Sequence, residues 1–333
     1  MNKILSVSIA AYNVEKTLKK TLNSLDDSRV YDDLEVLIID DGSKDNTKKI
    51  AEEFERKAPQ TFKYIYKQNG GHGSTINKGI ELATGKYFKV LDGDDWFDTE
   101  ALVKFIKKLK QQDSDLVLTD YAEVYPDHSK EINLIYNMKS GKEYSWKDDI
   151  DIKRVVLHTL TVKTELLKQN GVHITENCFY VDVEFVVWAA YVSQTITYFN
   201  IYLYMYRLGN QNQSVAKNNM LKNIDMQRKV SLNLVKMYDF FRTKSNMFPR
   251  QEMTIFNTFK RSIGSTMRTY LLMPNTIAKK NIINFDNDIK KTSIISYQRL
   301  NKDKFIYFIR KSNYSVIFGL KVLYRIWVIK YGY

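Results

Sequence analysis

The sequence predicts an open, largely parallel α/β sheet with helices on both faces, followed by an α-helical region. Three observations carry this. Short apolar runs of strand length alternate with amphipathic helical stretches from Ile4 to Thr119. Each of the first four strand candidates ends in polar or glycine-rich sequence. Beyond Lys217 the apolar residues recur at helical spacing.

Ile4–Ala10 is the first strand candidate, and Val14–Leu25 follows with Leu18, Leu22 and Leu25 on one helical face. Leu34–Ile39 is the second strand. It runs into Asp40-Asp41-Gly42-Ser43, and Asp45 is placed to cap the helix carrying Ile50, Ala51 and Phe54. Phe62–Tyr66 is the third strand, broken by Asn69-Gly70-Gly71-His72-Gly73 before a helix over Ser74–Ala83 that stops at Gly85. Tyr87–Leu91 is the fourth, stopping at Asp92-Gly93-Asp94-Asp95, and a helix over Thr99–Gln111 and a strand over Leu116–Thr119 continue the pattern. In parallel sheets of this kind ligands bind beyond the carboxyl ends of the strands, so these polar loops converge on one edge. Later, Val230, Leu234, Met237 and Phe241, and then Ile255, Phe259, Ile263 and Met267, mark helices. The expected division is 1–216 for the sheet domain and 217–333 for the helical region.

The chain has 333 residues, enough for about two domains. Its 44% apolar and 27% charged residues are the mix of a folded protein, and only 13 Gly and 4 Pro exclude low-complexity organisation. The single cysteine, Cys178, allows no internal disulfide and no cysteine-based zinc site, which favours a reducing compartment. No secretory signal or membrane-spanning segment is expected. The most apolar stretch, Tyr314–Tyr331, is interrupted by Lys321, Arg325 and Lys330. Net charge is +13, unevenly placed: residues 217–333 hold 23 Lys+Arg against 6 Asp+Glu, so the remainder is slightly acidic. The split suggests chemistry in the first part and contact with something anionic in the second.

Asp92-Gly93-Asp94 puts two carboxylates at a strand end. In an extended segment both point the same way, and Gly93 lets a ligand approach the backbone. A hard divalent ion bridging carboxylates to phosphate would relieve their repulsion, though Asp and Gly are also ordinary turn residues. A carboxylate of Asp40-Asp41 could cap the next helix or accept from a base or ribose. The Gly70–Gly73 loop could present N–H groups to phosphate, but it is neither a Walker loop nor a dinucleotide fingerprint. Lys78, one turn further on, is equally a solvated helix lysine. His128, His158 and His173 show no metal-ligand spacing. Cys178 reads as core, and Trp96 as a packing residue rather than a sugar platform.

Order and spacing are more specific than any one motif. Val7-Ser8-Ile9-Ala10-Ala11-Tyr12-Asn13, Val36 to Asp45 with its Asp-Asp-Gly-Ser, Asn69 to Gly79, Ala83-Thr84-Gly85-Lys86-Tyr87 and Asp92-Gly93-Asp94-Asp95 follow in succession. This succession resembles the nucleotide-sugar domain of family 2 glycosyltransferases, inverting enzymes of the GT-A fold in bacterial surface-polysaccharide synthesis. The likeness is strong over about the first hundred residues, weakens to about Ser214 and is absent beyond. It implies a Rossmann-like GT-A sheet. It further implies that Ala11, Tyr12, Asn13 and Asp41 line the nucleoside pocket, with Asp41 accepting from uracil. Asn69 and Gly71 would lie beside the donor. Asp92, Gly93 and Asp94 would form the DxD element, Asp92 and Asp94 holding Mn²⁺ or Mg²⁺ against the diphosphate. Phe179 to Glu184 resembles the acceptor-side acidic motif, making Asp182 the general base with Glu184 its rival. Tyr206-Arg207 to Gln213-Ser214 resembles the basic segment that closes over the diphosphate. Departures are Ala11 where the family has Pro, Ile76-Asn77 where it often has Arg-Asn, and Val181-Asp182 for Glu-Asp. Arg207, Lys78 or His72 would then supply the missing cation.

The implied function is metal-dependent transfer of a sugar from a UDP-sugar to a saccharide or lipid-linked saccharide acceptor. It would act in the cytoplasm, peripherally at the inner face of the membrane. The competing readings are a sugar nucleotidyltransferase, which lacks its glycine-rich basic loop here, and a non-catalytic module that binds an anionic polymer. In the tail, Lys321 and Arg325 share one helical face with Leu320, Leu323 and Trp327 broadly opposite. That pattern suits an anionic membrane surface or a helix packed on its own domain. No motif for nucleic acid is present, and none is expected to bind.

Overall fold

The computed structural model describes residues 3–135, 137–152, 154–209 and 217–331, with side chains to Tyr324. The chain divides into two compact units, 1–209 with 248–254, and 210–247 with 255–333.

In the first unit β1 (Leu5–Ala11), α1 (Leu18–Asn23), β2 (Leu34–Asp40), α2 (Thr47–Lys57), β3 (Phe62–Tyr66), α3 (His72–Leu82) and β4 (Tyr87–Asp92) alternate as the sequence predicts. α1 starts four residues later than Val14, because Val14–Thr17 forms a hydrogen-bonded turn first. α3 starts two residues earlier than Ser74. Next come β5 (Trp96–Phe97), α4 (Thr99–Leu109), β6 (Leu116–Val124), β7 (Ser129–Ile132), β8 (Glu143–Ser145), β9 (Leu160–Lys163), α5 (Thr164–Gln169), α6 (Asp182–Val192) and β10 (Thr195–Arg207).

The sheet runs β3-β2-β1-β4-β9-β6-β10-β5. β1 pairs in parallel with β2 and β4, β2 with β3, and β6 with β10. β9 is antiparallel to both β4 and β6. The central strands are buried on both faces, which is why β2 reads Leu-Glu-Val-Leu-Ile-Ile without alternation. The charge within that run, Glu35, is buried and held by Ser6, Lys63 and Thr84.

This topology positions the site. The carboxyl ends of β1, β2, β4 and β10 share one sheet edge. Because β9 runs the other way, the turn that enters it, Leu157–Thr159, lies at that same edge.

The second unit is helical, as expected. Among its described residues it contains α7 (Lys217–Lys222), α8 (Ile224–Lys244), most of α9 (Pro249–Leu271), α10 (Asn275–Thr292), α11 (Ile294–Arg299), α12 (Lys304–Lys311) and α13 (Ile317–Tyr331). Val230, Leu234 and Phe241 pack in its core with Ile255, Phe259, Ile263 and Met267. Each such side chain contributes roughly 1.5–3 kcal/mol by leaving water. Tyr238 is buried where the spacing singled out Met237, which is half-buried.

One expectation for the tail is overturned. Lys321 does not lie on a solvated basic face: it is buried, and its ammonium donates to the Met273 carbonyl and to Asn275 Oδ1. That carbonyl lies just past the end of α9, where a cation satisfies unpaired helix carbonyls. Leu323, on the expected buried side, is 65% exposed. The side chains of Arg325, Trp327 and Lys330, and the Gln213-Ser214 end of the expected basic segment, fall outside the described residues.

Candidate active site

Ala11 ends β1 and is buried, and its carbonyl accepts from Asp41 N–H. Tyr12 is half exposed beyond it. Asn13 has φ 52°, and both its backbone and its side chain are held: its backbone N–H donates to Ser43 Oγ at 2.9 Å and its Oδ1 accepts from Lys44 N–H at 2.9 Å. This ties the loop after β1 to the loop after β2. Asp45 accepts from Thr47 N–H at 3.0 Å, in the turn that opens α2.

Asp41 is buried at 3% exposure, and protein groups engage both its oxygens. Gly70 and Gly71 donate their N–H groups to it at 2.9 and 2.8 Å, and Lys67 Nζ pairs with it at 2.7 Å. Two of the glycine-loop amides expected to face phosphate, those of Gly70 and Gly71, therefore face Asp41 instead. Asn69 Nδ2 donates to the Asp41 carbonyl. Gly71 needs its lack of a side chain: its φ is 78°, and Asn177 and Cys178 pack against it.

The carboxylates after β4 are arranged by a tight turn, not by an extended strand. Asp95 N–H bonds the Asp92 carbonyl at 3.0 Å, so position i+3, not i+2, returns beside Asp92. Side-chain atoms of Asp92, Asp95 and His158 lie within 4.8 Å of one another. Asp94, the expected partner of Asp92, is not in this group. Gly93 packs closely on β1, where a Cβ would meet the Ala10 carbonyl at 2.8 Å. Asp95 is already bonded: its carboxylate accepts from Arg207 N–H and Tyr204 O–H, each at 2.7 Å. The Tyr204 hydroxyl accepts in turn from Asp92 N–H. Arg207 Nε donates to the Asp94 carbonyl.

Electrostatically the cluster is short of cations. Burial, then the Asp92 charge, pushes Asp94 up to about 6. Burial with Asp92 and Asp94 drives Asp95 well above the carboxylate range. Burial raises Asp92 too, but His72, whose Nε2 lies 3.0 Å from Asp92 Oδ1, outweighs it and holds Asp92 below the usual value. Burial lowers His72, yet Asp92, Asp182 and Asp94 together lift it above an ordinary histidine. Burial, with Lys89 and Arg154 adding to it, pushes His158 down to about 4, and among the described residues its Nδ1 has no hydrogen-bond partner.

Asp182 opens α6 and faces the same cluster. Burial raises its carboxyl; His72 lowers it and Asp92 raises it. Its rival Glu184 is buried at 2% and holds the Thr175 N–H and hydroxyl at 2.9 and 3.0 Å. Lys78 pairs with Glu81 on the surface. Trp96 packs between cations, with Lys20 Nζ 3.2 Å and the Arg207 guanidinium 5.0 Å from its ring centre. The sequence reading assigned no role to Lys67, Asp95 or Tyr204, and it set His158 aside for lack of metal-ligand spacing. Asp95 stood inside the quoted motif, whereas no local signal marks the other three.

Residues 6–164 match the model of glycosyl transferase family 2. This segment, a little under half of the chain, is a glycosyl transferase family 2 domain. An uncharacterized glycosyltransferase of Mycoplasma pneumoniae is 42% identical over 124 residues, which are 36% of this chain and 42% of that protein. The putative glycosyltransferase EpsH of Bacillus subtilis is 35% identical over 125 residues, 38% of this chain and 36% of that one. The chain thus matches about two fifths of the length of these relatives. The likeness of fold runs further. S. aureus TarS 1-349 in complex with UDP superposes with a TM-score of 0.68 at 17% identity, over 94% of this chain and 90% of that one. A mannosyltransferase from Pyrobaculum calidifontis in complex with GDP-Man and Mn²⁺ gives 0.52 at 11% identity, over 98% of this chain and 88% of that one. The expected GT-A architecture holds. The family match contains Asp41, Asp92, Asp94, Asp95 and His158, while Asp182 and Arg207 lie beyond it.

Proposed function

We propose that this family 2 member is an inverting, metal-dependent glycosyltransferase. It moves a sugar from a UDP-sugar to a saccharide or lipid-linked saccharide acceptor in the synthesis of a cell-surface polysaccharide, working on the cytoplasmic side. One observation carries the reading: four carboxylates, Asp92, Asp94, Asp95 and Asp182, crowd at the carboxyl edge of the sheet with two histidines and too little positive charge. Such an excess of buried negative charge fits a divalent cation with oxygen ligands. The unpartnered His158 Nδ1 beside it suits Mn²⁺ or Mg²⁺, the former more readily. The uridine donor follows from likeness of fold to TarS, whose structures hold UDP and UDP-GlcNAc.

Asp92 and Asp94 would hold the cation. Asp95, both of whose oxygens already accept hydrogen bonds, instead ties the turn to β10, and His158 is the candidate nitrogen ligand. When bound, the cation supplies Lewis-acid stabilisation of the diphosphate leaving group. Asp41 shapes the donor side by holding the glycine loop, and half-exposed Tyr12 offers a face to the base. Arg207 fixes the turn from β10 and adds positive charge beside the diphosphate. Asp182 takes the proton of the acceptor hydroxyl as that oxygen bonds to the anomeric carbon. The bond from this carbon to the phosphate oxygen breaks in the same step, UDP leaves with the electron pair, and the configuration inverts. The 1–216 and 217–333 division assigns this chemistry to the first part.

Release of UDP from a panel of UDP-sugars, measured with and without Mn²⁺, tests the reading. Turnover is expected only with metal. Asp94→Ala should abolish it, and Asp182→Asn should lower kcat by roughly 10²–10⁴-fold. Near-normal transfer by Asp94→Ala would remove the metal assignment, and no turnover with any donor would leave a binding module.

A further inference from the structure

The second unit carries an open groove of about 610 Å³ between the start of α10 and the α12–α13 junction. Ile283 and Ile317 contribute its apolar lining, and Lys279 and Lys280 stand exposed beside them. Neither lysine has an ion pair among the described residues. Asp286, an acid of the same helix, is buried and consumed by Arg310 and Tyr314. At the other wall, Phe318 of α13 is 63% exposed. Beyond the groove on the same helix, Val322 is 46% and Leu323 65% exposed. Lys321 turns inward from this helix, so the outward face of its described part is apolar. Exposed large apolar side chains next to unpaired lysines, in a region with 23 basic and 6 acidic residues, combine two chemistries. A wholly soluble anion would use the lysines and leave Phe318, Val322 and Leu323 in water. A lipid surface uses both.

We propose that this groove and the outward face of α13 dock the protein on an anionic phospholipid surface. Lys279 and Lys280 meet headgroup phosphates, and Phe318, Val322 and Leu323 enter the acyl boundary. The attraction is complementary in charge and declines as salt screens it. It requires no sugar transfer, so its failure leaves the proposed reaction standing, and the reverse also holds.

Flotation of the full chain with vesicles of phosphatidylcholine alone, or containing 30% phosphatidylglycerol, tests this. Binding is expected with the anionic vesicles and not with the neutral ones. Lys279→Glu with Lys280→Glu should weaken it by about thirtyfold or more. Phe318→Ser with Leu323→Ser should weaken it comparably with all lysines intact. All substituted sites are exposed, and circular dichroism and UDP release check that the variants fold. The proposal is overturned if the unaltered chain stays unbound to anionic vesicles, or if the lysine variant floats as well as the unaltered chain. It is equally overturned if the Phe318/Leu323 variant binds undiminished and soluble glycerol phosphate strips the protein off, because the site then takes only a phosphate. Competition by single-stranded nucleic acid at equal phosphate concentration that removes the protein from vesicles would assign the lysines to a polynucleotide instead.

Discussion

Several of the most family-like residues are architectural. Asp41 spends its carboxylate on Gly70, Gly71 and Lys67. In Thr84-Gly85, the Thr84 N–H and hydroxyl bond Glu35 at 2.8 and 3.0 Å, and Gly85 N–H bonds Ser6 Oγ. Glu35 thus accepts from Ser6, Lys63 and Thr84 with a side chain only 1% exposed. Burial pushes its carboxyl up, but these donors outweigh burial and hold it below the ordinary glutamate value. The stabilisation is therefore complete above the ordinary range and is lost as pH falls through the lower, folded-state value. We expect Glu35→Gln to cost about 1–3 kcal/mol at pH 7. The difference should shrink when urea midpoints are compared near or below pH 4. A penalty equal at both pH values would mean that the charge contributes nothing.

The residue scale also shows what a sequence hides. Asp92 and Asp94 were legible as a pair, but which acid turns back toward Asp92 depends on a β-turn, and that turn selects Asp95. His158 gave no signal because it is brought in by the direction of β9, a property of the whole sheet. Lys321 misled for a related reason. Helical spacing fixes which residues share a face, but not which face meets a carbonyl-rich helix end.

At the scale of elements, the alternation from β1 to β4 was readable because β1, β2 and β4 are buried on both faces, β3 is a short aromatic edge strand, and each loop is polar. The later half of the sheet was not. β9 is four residues long and antiparallel, and β10 is thirteen residues with register shifts near Tyr202. Close packing of α3 on the sheet depends on Gly79. A Cβ at that position would stand 2.1 Å from Ser8 Oγ and 2.7 Å from Ser8 Cβ, in the middle of β1. Gly79→Ala would raise helix propensity, by about 1 kcal/mol. It must also push α3 off β1, at roughly 1–3 kcal/mol. Net destabilisation is expected in thermal melts. Ser8→Gly placed on top should recover part of it, because the clash is with that side chain. Failure of the double variant to recover would put the cost elsewhere in α3.

The whole molecule keeps its charges apart: an acid-crowded sheet edge in one unit, and a strongly basic helical unit with little to neutralise it. Among the described residues no helix is long and apolar enough to cross a membrane. The acidic edge is costly without a counter-ion, since Asp94 and Asp95 are lifted by burial and by one another's neighbours. Removing one of those charges should relieve that cost. Asp94→Asn is therefore expected to stabilise the metal-free protein, by on the order of 1 kcal/mol, while weakening the proposed cation binding. In the unaltered chain, Mn²⁺ with UDP at about a hundred times the dissociation constant adds about 2.7 kcal/mol by mass action, a shift of a few degrees in Tm. The two effects cross. Without ligand Asp94→Asn should melt higher than the unaltered chain, and with Mn²⁺ and UDP it should melt lower. Parallel melting curves for the two proteins, separated by the same interval in both conditions, would mean that the carboxylates at the sheet edge repel one another for no ligand's sake.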